Sequence, residues 1–516
     1  MSIGTYATLA PRRPAVIDSA SGATVSYREL DAGSNRLAQY LHRLGVRRGD
    51  TIALFMENNL RFMEIVWAAR RSGLYLTAVN RYLTADEAAY IIDDCDAVLL
   101  LSSAVRADVA AHLPVRLPRC RHYLMSDGTI DGWESYEAAV ASCPATPLED
   151  EWLGEIMLYS SGTTGRPKGV RRPLRPVKVD ADDVLAMFTR GYGFDTDTVY
   201  LSPAPMYHAA PLAFSIGVQS RGGTVVMMPR FDAEAALAAI ERYRITHSQF
   251  VPTMFVRLLK LPAEIRTRYD LSSHRLAIHA AAPCPVAVKR AMIDWWGPIL
   301  HEYYGGTEGN GMTRIDSAEW LAHPGSVGRP IVGVLHICDE DGSDMPAGEP
   351  GLVYFERDTM PFAYHKDPER TRAAQHPLHP AWSTLGDIGY VDTDGYLYLT
   401  DRKAFMIISG GVNIYPREIE DVLIGHPQVR DVAVFGLPDP DMGEQVKAVV
   451  ELMDDTVPSQ ELAAALIAFA RDRLAHYKVP KSVDFVPALP RLPTGKLYKR
   501  ALREEYLGRI VDDGRS

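Results

Sequence analysis

Cysteine is scarce in this chain. Cys95, Cys120, Cys143, Cys284 and Cys338 are the only five in 516 residues, and none forms a C-x-x-C pair or stands beside histidines at metal spacing. A disulfide framework and a thiolate zinc site are therefore excluded as organising devices, and the thiols are expected to be reduced and mostly buried, as in a cytoplasmic protein. Long apolar runs are lacking too. No stretch approaches the ~18 residues of a spanning helix, so no transmembrane segment is expected. Peripheral membrane contact stays open, because a sequence records it poorly. The opening residues MSIGTYATLAPRRPAV hold no continuous apolar core, so a secretory leader is not expected. Nor is there an excess of basic charge. The formal net charge is −10, which argues against a general nucleic-acid binder with its basic face but leaves room for a local pocket that takes an anionic cofactor. No internal repeat or low-complexity tract is present.

What is present is an ordinary globular composition, 47% hydrophobic and 23% charged, in a chain long enough for two to four units. Strand and helix patterns alternate from the start. Ser26 caps a helix carrying Leu30, Ala38 and Leu41; Thr51–Met56 reads as a buried strand, Arg61–Ser72 as a helix and Val98–Leu101 as a second apolar run. The middle repeats this grammar: strands at Gly154–Tyr159 and Gly223–Met228, a helix at Ala233–Tyr243, and a helix at Ala287–Trp296 leading into a strand at Ile299–Tyr304. Such alternation predicts α/β layers with parallel sheets. Residues 330–400 look β-rich, with short runs at Val332–Cys338, Gly351–Phe355 and Gly395–Thr400. The pattern restarts near Asp401. A helix opening at Pro416, strands at Asp431–Leu437 and Val446–Leu452, a Ser459-capped helix reaching Arg473 and a strand at Ser482–Val486 make a small α+β unit. The expected division is 1–401 and 402–516.

Five segments carry chemistry. Tyr159-Ser160-Ser161-Gly162-Thr163-Thr164-Gly165-Arg166-Pro167-Lys168-Gly169 interleaves hydroxyls and glycines directly after a strand. Glycines let backbone N–H groups face a phosphate, hydroxyls add donors or reach magnesium, and Lys168 adds positive charge. It is not a Walker A loop, because two residues separate Gly165 from Lys168 and a glycine follows. A plain surface loop seldom holds four hydroxyls, three glycines and a lysine within ten residues. Next comes Tyr304-Gly305-Gly306-Thr307-Glu308, where a ring can lie against a flat base and Glu308 offers magnesium a hard oxygen. Leu385-Gly386-Asp387, with Asp401-Arg402-Lys403 downstream, could hold a ribose diol and a phosphate; taken alone, it reads as a turn aspartate and a surface arginine. Ser409-Gly410-Gly411-Val412-Asn413 and Leu492-Pro493-Thr494-Gly495-Lys496 complete the set. A lysine in a terminal loop is, by position alone, a solvated one.

In this order the five segments resemble the adenylate-forming superfamily of acyl-CoA synthetases, peptide-synthetase adenylation domains and luciferases, over nearly the whole chain. Ser160 stands where that family usually has threonine. The resemblance implies a large AMP-binding N-terminal region of two α/β subdomains and a β-rich one, with a small mobile C-terminal domain. It gives Ser160, Ser161, Gly162, Thr163, Thr164, Gly165 and Lys168 to the ATP phosphates. Tyr304, Gly305, Gly306 and the Ala281-Ala282-Pro283 segment would flank adenine, Thr307 and Glu308 would serve ATP, and Thr163 and Glu308 would face Mg2+. Asp387 and Arg402 would hold ribose and phosphate. Lys496 would bridge the attacking carboxylate and the α-phosphate. His208 matches a position lining the acyl and thiol approach, although a lone histidine is more often a satisfied core or turn residue. Gly410 and Gly411 would border the path of coenzyme A. The family usually has a polar hinge residue two positions after this arginine; here Lys403 follows Arg402 and that register holds Ala404, then Phe405, so the polar hinge is missing there.

The implied reaction is ATP-dependent activation of a carboxylic acid as acyl-AMP, then transfer to the thiol of coenzyme A. Transfer to a carrier-protein thiol, a luciferase-like oxygenase and a non-catalytic nucleotide-binding scaffold are the rivals. Pocket walls expected from His208–Gly217, Gln249–Met254, Ala280–Ala282 and Tyr304–Met312 are apolar and small. They hold no lysine or arginine for a second carboxylate, and favour a fatty, aromatic or alicyclic acid.

Overall fold

The computed structural model describes residues 2–160, 167–181, 191–402, 405–409, 412–491 and 497–513, with backbone alone at 401–402 and 510–513. Two parallel sheets dominate its first part. A nine-stranded sheet runs in the order Arg329–Val332, Met312–Ile315, Leu300–Gly305, Leu276–His279, His247–Phe250, Val199–Ser202, Thr224–Met227, Pro14–Asp18, Thr24–Ser26. Its centre is parallel, and antiparallel strands close both edges. A six-stranded parallel sheet is built around Thr51–Phe55. The helices Tyr27–Arg43, Leu60–Arg71 and Ala209–Gln219 contribute Leu37, Phe62 and Leu212 to one buried cluster that also takes Leu54 and Val225 from the two sheets. Helices covered on two sides cannot stay amphipathic, which is why Leu60–Arg71 buries even Arg70 and Arg71. Arg71 reaches Asp31 at 2.7 Å and Glu151 at 3.0 Å, so its charge is paired.

Local signals hold where they rest on chemistry within a turn. Ser26 accepts from the Glu29 N–H while the Glu29 carboxylate accepts from the Ser26 N–H, a reciprocal cap. Two expected strands are each divided. Gly154–Tyr159 splits into Glu155–Ile156, which joins the six-stranded sheet, and Leu158–Ser160, which pairs with Lys168–Arg171. Val332–Cys338 breaks at Gly333, whose φ of +78° ends one strand and starts another in a different sheet. The four-stranded antiparallel sheet Val334–Cys338, Gly351–Glu356, Trp382–Val391 and Leu397–Arg402 is the expected β-rich part.

Beyond it, a five-stranded sheet is covered on both faces. Along Val429–Asp439, Val432 and Val434 face the helices Pro416–Leu423 and Gln460–Arg471, while Ala433, Phe435 and Leu437 face the helix Lys499–Asp513. Ser459 caps Gln460–Arg471 as expected, and that helix stops two residues short of Arg473. Lys403 and Ala404 lie outside the described residues. No helix is long and apolar enough to cross a membrane among the described residues.

Candidate active site

One cleft of about 1610 Å³ is lined from the nine-stranded sheet, the β-rich part and the C-terminal unit. Of the residues singled out above, Ser160, Lys168, His208, Ala281, Ala282, Pro283, Tyr304, Gly305, Gly306, Thr307, Glu308 and Asp387 line it. Ser161, Gly162, Thr163, Thr164, Gly165, Gly410, Gly411 and Lys496 lie outside the described residues, as does the Arg402 side chain.

The first motif enters on Leu158–Ser160 and leaves on Lys168–Arg171, with Ser160 opposite Lys168 in antiparallel register. Lys168 therefore sits on a strand rather than in a loop. Gly169 lies under Tyr159, whose ring an added Cβ would meet at 2.9 Å. Lys168 Nζ stands 4.7 Å from the centre of the Tyr364 ring. Tyr364 pairs with Val170 across the next strand, and its hydroxyl donates to Glu308 Oε1 at 3.0 Å. Glu308 is buried, 8% exposed, so this bond fixes one carboxylate oxygen. Arg172 restrains the same turn by donating to the Thr307 carbonyl at 2.8 Å.

Tyr304 follows strand Leu300–Gly305 to its end and donates its hydroxyl to Asp387 Oδ2 at 2.7 Å. A charge-assisted bond of this kind ties the nine-stranded sheet to the β-rich part. Gly306 packs closely on Leu385: a Cβ there would lie 2.3 Å from Leu385 Cδ1, so that side chain would have to shift. Asp387 is also opposite Arg402 in strand register, which brings the two halves of the third motif together along the backbone. Ala281 turns with φ of +75°, a left-handed conformation unusual for alanine, directly after strand Leu276–His279.

Beneath this face lies a buried charge cluster. Lys289 Nζ donates to Glu302 Oε2 at 2.6 Å, and both residues are buried. His279 Nε2 stands 3.7 Å from the same oxygen, and burial foremost, with Lys289 second, holds the His279 pKa well below its usual value. Strand alternation puts Glu302 on the Tyr304 side of its strand.

His208 precedes helix Ala209–Gln219, with its ring 4.4 Å from that of Tyr207. Its Nε2 is buried without a partner among the described residues, and burial pulls its pKa down to about 3. The imidazole is therefore neutral at pH 7, with a single ring proton.

The C-terminal unit meets the cleft through Arg491 and Leu497, which pair with each other in antiparallel register. Arg491 also pairs with Asp431. Lys260 Nζ, from the large part, donates to the carbonyls of Val429 at 3.4 Å and Arg430 at 3.3 Å. Ile408 and Val412, which flank Gly410 and Gly411, are 50% and 44% exposed.

Tyr364, Arg172, Lys289, Glu302 and Arg314 had no signal in the linear motifs. Tyr364, Arg172 and Arg314 act through partners far away in the chain, and Lys289 and Glu302 act through each other, from a helix and the strand that follows it. Arg314 lies on the cleft wall two residues beyond Met312, where the sequence-based wall ended.

Residues 5–364 match the family described as AMP-binding enzyme, and residues 418–496 match the AMP-binding enzyme C-terminal domain. The long-chain-fatty-acid–CoA ligase FadD13 of Mycobacterium tuberculosis is 34% identical, covering 97% of each chain. A second ligase of that organism, named for a methyl-dioxo-octahydroindenyl-propanoyl group and CoA, is 35% identical over 90% of this chain and 91% of its own. Among solved structures, the anthranilate CoA ligase AuaEII with anthranoyl-AMP superposes with a TM-score of 0.86 at 25% identity, covering 99% of this chain and 97% of that one.

Proposed function

The chain belongs to the AMP-binding enzyme family, and we infer from that premise that it is an AMP-forming acid–CoA ligase, activating a hydrophobic carboxylic acid with ATP and passing the acyl group to coenzyme A. The observation that carries this reading is the convergence of Ser160, Lys168, Tyr304, Glu308 and Asp387 on one cleft that also has an apolar arm.

A carboxylate is a poor electrophile, and joining it to AMP supplies a good leaving group. In the first step a substrate oxygen attacks the α-phosphorus and pyrophosphate departs. Negative charge accumulates there, and one well-placed donor is worth roughly 3–4 kcal/mol. Lys168 and Lys496 are assigned that task, with the hydroxyls of Ser160, Ser161, Thr163 and Thr164 and the N–H groups around Gly162 and Gly165 on the phosphates. Tyr304 would lie along the base with Ala281–Pro283, and Asp387, already oriented by the Tyr304 hydroxyl, would take the ribose with Arg402 beside it. The donor set suits a hard cation: Glu308 keeps one carboxylate oxygen beyond its bond to Tyr364, and Thr163 adds a hydroxyl. Magnesium, when bound, neutralises phosphate charge.

In the second step a thiolate attacks the acyl carbon and AMP leaves. His208, neutral at working pH, is assigned to the wall of this approach rather than to the role of base. We divide the chain into 1–401 and 402–516 and assign the smaller part a rotation between the steps. Support comes from the residues on either side: Arg491 and Leu497, which bracket Lys496 in the chain, line the cleft, while Ile408 and Val412, on either side of Gly410 and Gly411, face solvent. Five free, buried cysteines support a cytoplasmic location.

The test is a panel of fatty, aromatic and alicyclic acids assayed for AMP release that depends on free CoA. Turnover of at least one class is expected. AMP formation with a carrier-protein thiol but not with CoA would move the acceptor, and no AMP with any acid would return the chain to a nucleotide-binding scaffold.

A further inference from the structure

The acid arm of the cleft is bounded by the edge of the nine-stranded sheet. On Leu300–Gly305, alternation places Gly305, Tyr303 and His301 on one face and Tyr304 and Glu302 on the other. The Tyr303 ring lies 6.0 Å from Phe214, on the helix that follows His208, so this is the acid side. The antiparallel neighbour brings Met312 opposite Gly305 and Arg314 opposite Tyr303. Arg314 is thus on the same face as Met312 and about 7 Å further along the strand, away from Thr307 and Glu308.

Arg314 is partly buried and lines the cleft. Its Nη1 donates to the Gly191 carbonyl at 2.9 Å and its Cζ lies 5.9 Å from the centre of the Tyr192 ring. It makes no ion pair among the described residues. A guanidinium offers five N–H donors, and a single carbonyl leaves most of them for another acceptor. A second polar atom is unsatisfied nearby: His301 Nδ1, on the same face, is buried without a partner among the described residues. An alkyl chain threaded along this arm would cover the remaining Arg314 N–H groups and give them nothing in return, which is costly.

We propose that Arg314 receives an oxygen function, keto, hydroxyl or carboxylate, at the end of the acid remote from the carboxylate being activated. This rests on the ligase reading above and sharpens it. The preferred substrates are medium-length alicyclic or aromatic acids with a distal oxygen, rather than plain long-chain fatty acids.

The test uses the full-length enzyme and three matched acids: cyclohexanepropanoic acid, its 4-oxo derivative and its 4-carboxy derivative. CoA-dependent AMP release gives kcat/KM for each. The wild type should favour an oxygenated acid over the parent by roughly 10- to 150-fold, the range of one hydrogen bond to a charged group. In Arg314→Met that ratio should collapse towards one, and Arg314→Lys should restore part of it, with thermal melting confirming that both variants fold. Preference for the 4-carboxy acid identifies an anion site, and preference for the 4-oxo acid a neutral acceptor site. Equal use of all three by the wild type, or a ratio unchanged in Arg314→Met, overturns the proposal while leaving the ligase reading intact. Failure of every acid, including fatty and aromatic ones, sinks the ligase reading instead.

Discussion

Replacing Lys289 by methionine should destabilise the protein strongly without touching substrate. The side chains are similar in length, so packing against Trp320, whose ring centre lies 4.9 Å from Nζ, is largely kept. What is lost is the partner of a carboxylate that is 4% exposed. Leaving one member of a buried pair unpaired costs about 3–5 kcal/mol, whereas neutralising both is often close to harmless. Lys289→Met should therefore lower stability by that amount, and adding Glu302→Gln should recover most of it. Protons should act on the single variant too. Without Lys289, one cause of the low His279 pKa disappears and Glu302, 3.7 Å away, is left to favour the imidazolium. The pKa of His279 in the folded variant then rises above its wild-type value. Between the two values the variant's native state binds an extra proton, so its deficit shrinks as pH falls. Urea unfolding followed by tryptophan fluorescence at pH 8 and pH 6 measures both effects. A variant within about 1 kcal/mol of wild type, or a double variant no better than the single, would refute the claim that this pair holds the floor of the site.

Three further outcomes are expected. Glu308→Gln keeps its shape but loses an anionic oxygen, so turnover at limiting magnesium should fall far more than the melting temperature does; full activity there would reduce Glu308 to a turn residue. His208, His247 and His274 are held by burial at about 3, 4 and 3. The unfolded chain protonates them near 6.5 while the native state does not, so stability is complete above that pH and declines below it, by about 1.4 kcal/mol per unit for each. A urea midpoint that does not move between pH 7 and pH 5 would contradict this. Lys403→Pro, which fixes φ and restricts the preceding residue, should spare acyl-AMP formation and depress thioester formation; an equal fall in both half-reactions, or in neither, would put the pivot elsewhere, with Ala404 and Phe405 the next candidates.

Whatever depended on neighbours within a turn could be read from the chain. The Ser26 cap on helix Tyr27–Arg43 and the strand expected at Asp431–Leu437, which lies within Val429–Asp439, are of that kind. Sheet membership was not legible. Leu158 is as apolar as Ile156, and nothing local says that they join different sheets. The site was legible as a set of motifs but not as a mechanism of support. Tyr364 reaches Glu308 only after the sheets assemble, Lys289 reaches Glu302 only once helix Val286–Trp296 packs on the strand that follows it, and an isolated lysine in a helical pattern reads as a surface residue. Arg314 escaped notice for the same reason: only the antiparallel pairing of Met312–Ile315 with Leu300–Gly305 puts it on the acid side.

The most direct test of the central claim separates the two half-reactions in the wild type and in Lys496→Ala. With an acid that the enzyme uses, the wild type should release pyrophosphate from ATP on forming acyl-AMP and make AMP and the acyl-CoA thioester once CoA is added. Lys496→Ala should lose pyrophosphate release yet still form thioester from supplied acyl-AMP and CoA. Undiminished pyrophosphate release in the variant, or thioester formation by the wild type without AMP, would contradict the account.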